Sequence, residues 1–175
     1  MVDTVTVRAL DPGELDSYVD PLTDVLVDCV EGGASVGFML PLARDRARQL
    51  WQAVADGVAR GERVLLVAEL TDGRVVGTVQ LVTAMPDNQP HRADLAKMLV
   101  HRSARRKGVA QALLAAAEEA ARAARRSVLV LDTVTGGDAE RLYARLGWQR
   151  VGVVPGYALM PTGELCSTTY FYKHL

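Results

Sequence analysis

The sequence predicts an α/β fold in which helices flank a mixed sheet. Apolar, β-rich runs alternate along the chain with segments whose apolar residues recur every three or four positions, which is the period of an amphipathic helix. A hairpin signal joins two of the runs, and the run at 128–133 begins with four consecutive apolar residues, as buried parallel strands often do. These three observations favour antiparallel and parallel strand pairing in the same fold.

Length and composition indicate an ordinary globular protein. The 175 residues fit one domain, spanning 1–175, and the formal net charge of −1 argues against nucleic-acid binding through overall charge. The N-terminus lacks a signal-peptide pattern and no apolar run is long enough to span a membrane, so we expect a cytoplasmic protein. We expect a monomer or a homodimer, without membrane or nucleic-acid partners.

The cysteines and histidines do not indicate a metal site. Cys29 and Cys166 lie far apart in sequence, outside the close-spaced pairs typical of metal and redox motifs. The three histidines, His91, His101 and His174, also lack the spacing of metal ligands. No metal is therefore expected.

The first half of the chain contains clear start and stop signals. Asp11-Pro12 marks a helix start, since aspartate caps helices and proline fits their first turn, and glycines mark helix ends. The predicted elements are a strand at 5–9, a helix from Asp11 to Gly32-Gly33, a helix from Pro41 to Gly61, and strands at 63–70 and 75–83 joined by an Asp72-Gly73 turn.

A polar loop at 86–90 separates this hairpin from the second half. The longest helix is expected at 108–124, where helix-forming residues predominate. The other predicted elements are strands at 92–101, 128–133, 148–154 and 167–173, a short helix at 138–146, and a turn at 161–164 that makes the last two strands a second hairpin.

The clearest functional signal is the segment Arg105-Arg106-Lys107-Gly108-Val109-Ala110, which joins an apolar strand to the longest helix. Backbone amides in the first turn of a helix lack internal partners and carry the positive end of the helix dipole. A glycine there lets an anion approach the main chain, and the basic residues add charge. The segment therefore predicts an anion site, although basic residues before a helix are more often simply solvated.

A second motif follows the basic loop. Tyr143 to Trp148 has the form Tyr-x-x-Leu-Gly-aromatic, and Arg105 to Ala110 has the form Arg-x-x-Gly-x-Ala. With these motifs in this order, the sequence resembles the GNAT acetyltransferase superfamily over nearly its whole length. The resemblance implies the GNAT acyltransferase fold, a central and mostly antiparallel sheet with one splayed pair of parallel strands.

The resemblance also implies acetyl-CoA as cosubstrate. The loop at 105–110 would then hold the pyrophosphate, and the strand before it the pantetheine arm and the acetyl carbonyl. The residues implied to bind acetyl-CoA are Met98, Leu99, Val100, Arg105, Arg106, Lys107, Gly108, Val109, Ala110 and Tyr143. The family often has glycine where this chain has Arg106, and asparagine where it has Gly136-Gly137, so one cofactor contact is expected to be missing or replaced.

Three further segments are similar to the tabtoxin-resistance acetyltransferases within that superfamily. They are Glu31 to Met39, Leu131-Asp132-Thr133, and Val154-Pro155-Gly156-Tyr157. This similarity implies detoxification of a small amine or amino-acid-like compound. The residues expected at the substrate wall, from the resemblance and from their loop positions, are Glu31, Ser35, Phe38, Asn88, His91 and Tyr157.

Acetyl transfer to an amine requires removal of a proton from the amine and delivery of one to the departing thiolate. An alkyl ammonium has a pKa of about 10, so a nearby carboxylate would help, and Asp94 and Asp132 are the candidates. Tyr143 matches the family tyrosine beside the sulfur and could protonate the thiolate. The structural alternatives are a solvated Asp94, an Asp132 that caps a turn through Thr133, and a Tyr143 that only packs in the core.

The leading hypothesis is therefore an N-acetyltransferase acting on a small-molecule amine. A catalytically silent acyl-CoA-binding or sensor module would keep the loop without the acid and base groups, and the presence of Tyr143, Asp94 and Asp132 counts against it. A nucleic-acid-binding domain is the third hypothesis. It would use Arg102, Arg105, Arg106, Lys107, Arg122, Arg125 and Arg126, but no stacking aromatic residues interrupt these basic positions.

Overall fold

A computed structural model describes residues 5–175 of the chain. Within these residues lie seven strands and four α-helices. In chain order they are β1 (Val5–Ala9), α1 (Leu15–Glu31), α2 (Arg44–Ala59), β2 (Arg63–Leu70), β3 (Val75–Val82), β4 (Arg92–Val100), α3 (Val109–Ala123), β5 (Val128–Val134), α4 (Asp138–Arg145), β6 (Gln149–Leu159) and β7 (Leu165–His174).

The strands form one mixed sheet in the order β1-β2-β3-β4-β5-β7-β6. Among the described strands, β4 and β5 are the parallel neighbours and the other pairs are antiparallel. The parallel pairing joins Arg92–Asp94 to Val128–Val130 and stops there, although both strands continue. The predicted fold, with its parallel pair in a mostly antiparallel sheet, is confirmed, and a gap opens where β4 and β5 separate.

Helices pack on both faces of the sheet, because the central strands are apolar on both sides. In β2, Leu65 and Val67 pack with α1 and α2, whereas Leu66 and Ala68 pack with α3. This division follows from the two-residue period of a strand, which sends successive side chains to opposite faces. The continuous apolar runs in the sequence are thus explained by burial on both sides.

A β-bulge interrupts β4 where it leaves its parallel partner. Thr78 pairs with Leu99 and Gln80 with Ala96, so Lys97 and Met98 together face the single residue between them on β3. Lys97 has a φ of 50°, in the left-handed region that non-glycine residues rarely adopt. The bulge redirects the Lys97 side chain and ends regular pairing next to the gap, as bulges near functional sites often do.

The largest differences from the predicted boundaries are at the start of α1 and the end of β6. The chain enters α1 through a short 3₁₀ turn, Pro12–Glu14, and Asp11 caps this turn. The sixth strand continues to Leu159 instead of ending near Val154, because pairing with β7 resumes at Ala158 and Cys166 after an irregularity. Nonlocal pairing with β7 therefore extends the strand beyond its predicted end.

No helix within residues 5–175 is both long enough and apolar enough to cross a membrane.

Candidate active site

A cavity of about 1050 Å³ lies at the gap between β4 and β5. Its wall includes the second half of β4, the end of β5, the start of α3, the inner face of α4 and the segment between α1 and α2. The predicted site residues that line it are Ser35, Met98, Leu99, Val100, Arg105, Arg106, Gly108, Ala110, Asp132, Tyr143 and Tyr157. A smaller cavity of about 520 Å³, beside the β2–β3 turn, contains none of the predicted site residues.

One end of the cavity is the start of α3. Gly108 precedes the helix with a φ of 80°, and a Cβ added there would meet nothing within 4 Å. The main chain is therefore bare at the point where the first helical amides are unpaired. Arg105 and Arg106 border the same region, which gives it positive charge. These features fit an anion site.

Arg106 has a φ of 62°, a left-handed conformation that favours glycine. The departure of this chain from the family pattern at that position therefore places an arginine in a conformation better suited to glycine. Lys107 is exposed and does not line the cavity, and Val109 is buried in the core with only 2% of its surface exposed. Of the residues predicted to bind acetyl-CoA, Lys107 and Val109 therefore do not line the cavity.

The wall next to this end is the part of β4 that has left its partner. Met98, Leu99 and Val100 line the cavity, and no strand pairs with their β5-facing edge. Free main-chain groups along such an edge can bind an extended ligand. The Val100 carbonyl already accepts hydrogen bonds from Arg105 Nε, at 3.2 Å, and from the Cys29 thiol, at 3.4 Å.

Tyr143 projects from α4 into the wall between the cavity and the core. Its ring packs against Trp148, with 5.8 Å between the centroids, and against Phe171, at 6.0 Å. Burial raises the pKa of the Tyr143 hydroxyl well above its usual range, and the nearby Asp132 carboxylate raises it further. Tyr143 therefore packs in the core and also keeps its proton at the cavity surface, as a proton donor must.

Asp132 lies on the opposite side of the gap from β4. One carboxylate oxygen accepts a 2.8 Å hydrogen bond from Thr168 Oγ1 on β7, while the side chain remains exposed to the cavity. The turn-capping alternative considered from the sequence is not what holds this carboxylate. An exposed, oriented carboxylate can accept a proton from a ligand.

Asp94 is adjacent to Asp132 but is arranged differently. Asp94 pairs in register with Val130, two residues before Asp132, which puts both aspartates on the same face of neighbouring strands. Asp94 does not line the cavity, and its carboxylate is bound by the Arg92 guanidinium. Burial raises the pKa of Asp94, Arg92 offsets part of this rise, and the Asp132 charge adds to it.

The predicted substrate residues are only partly brought together. Ser35 Oγ donates a 2.8 Å hydrogen bond to the Leu159 carbonyl, and the Tyr157 hydroxyl lies 3.1 Å from that of Tyr170. Ser35 and Tyr157 thus form part of the cavity wall together with β6. The predicted substrate residues outside the cavity are Glu31, which pairs with Arg102 at 3.7 Å, and Phe38, Asn88 and His91.

Three residues of this region are not among those predicted from the sequence. Lys97 lines the cavity from the bulge, Thr168 binds Asp132, and Tyr170 bonds Tyr157 beside the aspartates. The hydrogen bond between Tyr170 and Tyr157 raises the pKa of Tyr170 to about 12, with burial adding to the rise. A lone lysine within an apolar strand was a usable signal for Lys97, whereas the threonine and the tyrosine depend on strand register.

Histidine, cysteine and acidic side chains do not cluster in threes anywhere in residues 5–175 in a way that could hold a metal ion.

Comparison with known proteins identifies the family. The model of the acetyltransferase (GNAT) family matches residues 31–148, more than half of the chain, and the chain belongs to this family. An uncharacterised N-acetyltransferase from Azospirillum brasilense, encoded in the hisH-hisA intergenic region, is 37% identical over 130 residues, which are 73% of this chain and 74% of that protein.

Solved structures share the fold. An N-acetyltransferase from Staphylococcus aureus Mu50 superposes with a TM-score of 0.77 at 18% identity, covering 98% of both chains. A Salmonella typhimurium protein, solved with its cofactor acetyl-CoA, gives a TM-score of 0.77 at 20% identity, covering 98% of this chain and 94% of that one. At these identities the likeness establishes the architecture.

Proposed function

We propose that this chain is an N-acetyltransferase that moves the acetyl group of acetyl-CoA, by direct transfer, to a primary amine of a small molecule or amino-acid-like compound. The observation that carries the proposal is a single cavity that joins the predicted anion site at the start of α3 to Asp132 and Tyr143 across the gap between β4 and β5. An acetyl-CoA-binding site needs both a place for phosphate and an extended channel to the reacting atoms. This cavity has both.

The residues present fit acetyl-CoA. The bare main chain at Gly108, with Arg105 and Arg106 beside it, suits the pyrophosphate. The unpaired edge of β4 at 98–100 suits an arm that carries amide groups. The structural neighbour solved with acetyl-CoA supports the same cosubstrate here. When bound, acetyl-CoA supplies an activated thioester, and the remaining chemistry falls to the protein.

We assign the two proton transfers of the reaction to side chains. Asp132 takes a proton from the substrate ammonium, directly or through water, because a neutral amine is the nucleophile. Tyr143 donates its proton to the thiolate, whose conjugate acid has a pKa of about 8.5. A main-chain amide near Leu99 and Val100 polarises the carbonyl, as oxyanion donors do. Asp94, bound to Arg92, acts on this site through its charge.

The acceptor is proposed to be a small toxin-like amine, and the reaction a detoxification in the cytoplasm. The segments that resemble tabtoxin-resistance acetyltransferases support this, because parts of all three reach the same cavity: Gly33 to Gly37, Asp132 with Thr133, and Tyr157. These segments are far apart in sequence and meet at the wall of one cavity. Their convergence is what a shared acceptor site requires.

The proposal is tested by measuring acetyl-CoA consumption over a panel of amines, amino acids and peptides. With an accepted amine, Tyr143→Phe and Asp132→Asn should each lower kcat about 100-fold, the lower end of general acid–base effects. Calorimetry should show unchanged CoA binding by both variants. Asp87→Asn, in the exposed loop before β4 and outside the cavity, is the matched control.

Unchanged turnover in both site variants would overturn the mechanism. If CoA binds but no amine in the panel is acetylated, the sensor alternative replaces the enzyme.

A further inference from the structure

The ammonium group of Lys97 lies at the cavity wall and has no role in the proposed mechanism. Its side chain is partly buried and lines the cavity from the β4 bulge. Its Nζ lies 3.9 Å from the place that a Cβ on Gly37 would occupy, so it faces the segment between α1 and α2. Among residues 5–175 no hydrogen bond or salt bridge holds this ammonium; the influences on it are burial and the charge of Asp132.

An ammonium in this position is costly to the protein. Burial lowers the pKa of Lys97, since the charged form loses part of its hydration. The conformation adds strain, because the bulge holds Lys97 at a φ of 50°. Buried charges in proteins are normally paired, so an unpaired and strained lysine at a cavity wall points to a partner that arrives with the ligand.

The Asp132 carboxylate acts on Lys97 through its charge, and the two side chains line the same cavity without forming an ion pair. The acceptor part of the cavity therefore offers a cation from β4 and an anion from β5, with space between them. A ligand that complements this arrangement carries an ammonium and an anionic group together. A simple amine would satisfy Asp132 and leave Lys97 unpaired.

The phosphates of the cosubstrate are an unsuitable partner for Lys97. The proposed phosphate site begins at Gly108, whereas Lys97 lies three residues before the end of β4, about 10 Å further back along the strand. Asp132 and Gly37, the neighbours of Lys97, belong to the acceptor part of the wall. The anion that meets Lys97 therefore belongs to the acceptor.

We infer that Lys97 binds a carboxylate of the acetyl acceptor, so that the acceptor is an amino acid or a similar zwitterion, with the reacting amine toward Asp132 and the carboxylate toward Lys97. This inference rests on the proposed acetyltransferase function and narrows its substrate class. Lys97 is thus a substrate-binding residue that sets specificity, distinct from the groups that transfer protons.

The first test compares amino acids with the same amines lacking the carboxylate. Suitable pairs are L-phenylalanine with phenethylamine, L-lysine with 1,5-diaminopentane, and L-ornithine with 1,4-diaminobutane. Wild-type protein should favour the carboxylate-bearing member of an accepted pair by at least about tenfold in kcat/KM, as expected for a charge-assisted hydrogen bond. In Lys97→Gln this ratio should fall toward one, mainly through a higher KM for the amino acid, and Lys97→Arg should restore part of it.

Arg74→Gln is the control, since it also removes a cation but lies at the β2–β3 turn, away from the cavity. A wild-type enzyme that prefers the decarboxylated amines, or a Lys97→Gln enzyme that keeps the full preference, would overturn the inference.

The second test measures ligand binding and does not require acetyl transfer. The chain has only three lysines, so the ¹³Cε signal of Lys97 can be assigned by its loss in Lys97→Gln. With CoA present, the amino acids of the panel should shift this signal and raise the pKa of Lys97, while the decarboxylated amines should not. If acetyl transfer occurs but neither the rates nor the Lys97 signal depend on the carboxylate, the inference is refuted and the proposed acetyltransferase function is retained. A carboxylate-dependent shift without any transfer supports the binding site and refutes the enzyme.

Discussion

Thr168 Oγ1 donates a 2.8 Å hydrogen bond to a carboxylate oxygen of Asp132 across the pairing of β5 and β7. Thr168 is buried, with 4% of its surface exposed, whereas Asp132 faces the cavity. The hydroxyl also lies 2.9 Å from the Thr133 carbonyl, which fixes its position on the sheet. A buried strand residue therefore orients the carboxylate to which proton removal is assigned, and leaves the other carboxylate oxygen available.

Replacement of Thr168 by valine keeps the shape of the side chain and removes the donor. We expect kcat to fall about tenfold, the rate equivalent of a weak hydrogen bond to a charged group, with KM for the amine changing less. Steady-state kinetics on an accepted amine would measure this. Thr168→Ser keeps the hydroxyl and should retain most of the activity; equal losses in both variants would show that packing, not the hydrogen bond, matters.

Gly108 combines a left-handed conformation with open space, so Gly108→Ala tests the anion site. The added methyl group meets no atom within 4 Å, but a φ of 80° is strained for alanine. We expect a loss of about 1–2 kcal/mol in the free energy of unfolding and weaker CoA binding. Urea unfolding and calorimetry would measure the two effects.

The matched control for that change is Gly13→Ala, in the turn before α1. It also adds a methyl group with nothing within 4 Å and lies far from the cavity wall. Its CoA affinity should equal that of the wild type. If Gly108→Ala binds CoA as tightly as Gly13→Ala does, the start of α3 is not the anion site.

Local signals in the sequence were sufficient for the elements and for one end of the site. The hairpin of β2 and β3 has its own turn chemistry, in which the Asp72 side chain accepts a hydrogen bond from the Arg74 amide at 3.0 Å. The Gly108 turn likewise depends on residues adjacent in sequence. Such features are encoded over a few positions, so patterns of residue type predict them.

Sequence patterns could not predict several contacts in the acceptor part of the candidate site, because these contacts depend on strand register. The bulge that aims Lys97 into the cavity exists only through the pairing of β4 with β3. The bond between Thr168 and Asp132 needs β7 to be inserted between β5 and β6. Asp94 was expected to face the cavity with Asp132, but Arg92, two residues earlier on the same strand, holds its carboxylate instead.

The packing of Phe171 against Tyr143 links core stability to the site. Phe171 is 1% exposed, and its ring lies 6.0 Å from that of Tyr143. Phe171→Ala should lower the free energy of unfolding by about 3–5 kcal/mol through lost burial and a cavity. Urea denaturation would measure this. Val151→Ala, at a side chain 67% exposed on β6, should change it by less than about 0.5 kcal/mol; similar losses in both would contradict the assignment of Phe171 to the core.

Asp94 should make stability depend on pH in a defined direction. Burial raises its pKa in the folded protein, so folding favours the protonated acid. The stabilising contribution of this group is present below the ordinary aspartate pKa of about 3.9 and is lost as the pH rises through the raised value. Asparagine stays neutral throughout. Asp94→Asn should therefore gain in unfolding free energy, relative to wild type, between pH 4 and pH 7 in urea titrations.

Glu14 should change the pH dependence of the unfolding free energy in the opposite direction and can be tested in the same experiment. Hydrogen bonds from Arg8 lower its pKa, so its contribution is present at neutral pH and is lost as the pH falls through the lowered value. Glu14→Gln should lose stability relative to wild type as the pH rises from 4 to 7, by a small amount because the pair is solvent-exposed. A common trend in the two variants would mean that neither carboxyl controls the pH dependence. Opposite trends would separate the half-buried Asp94 from the surface ion pair of Glu14 and Arg8.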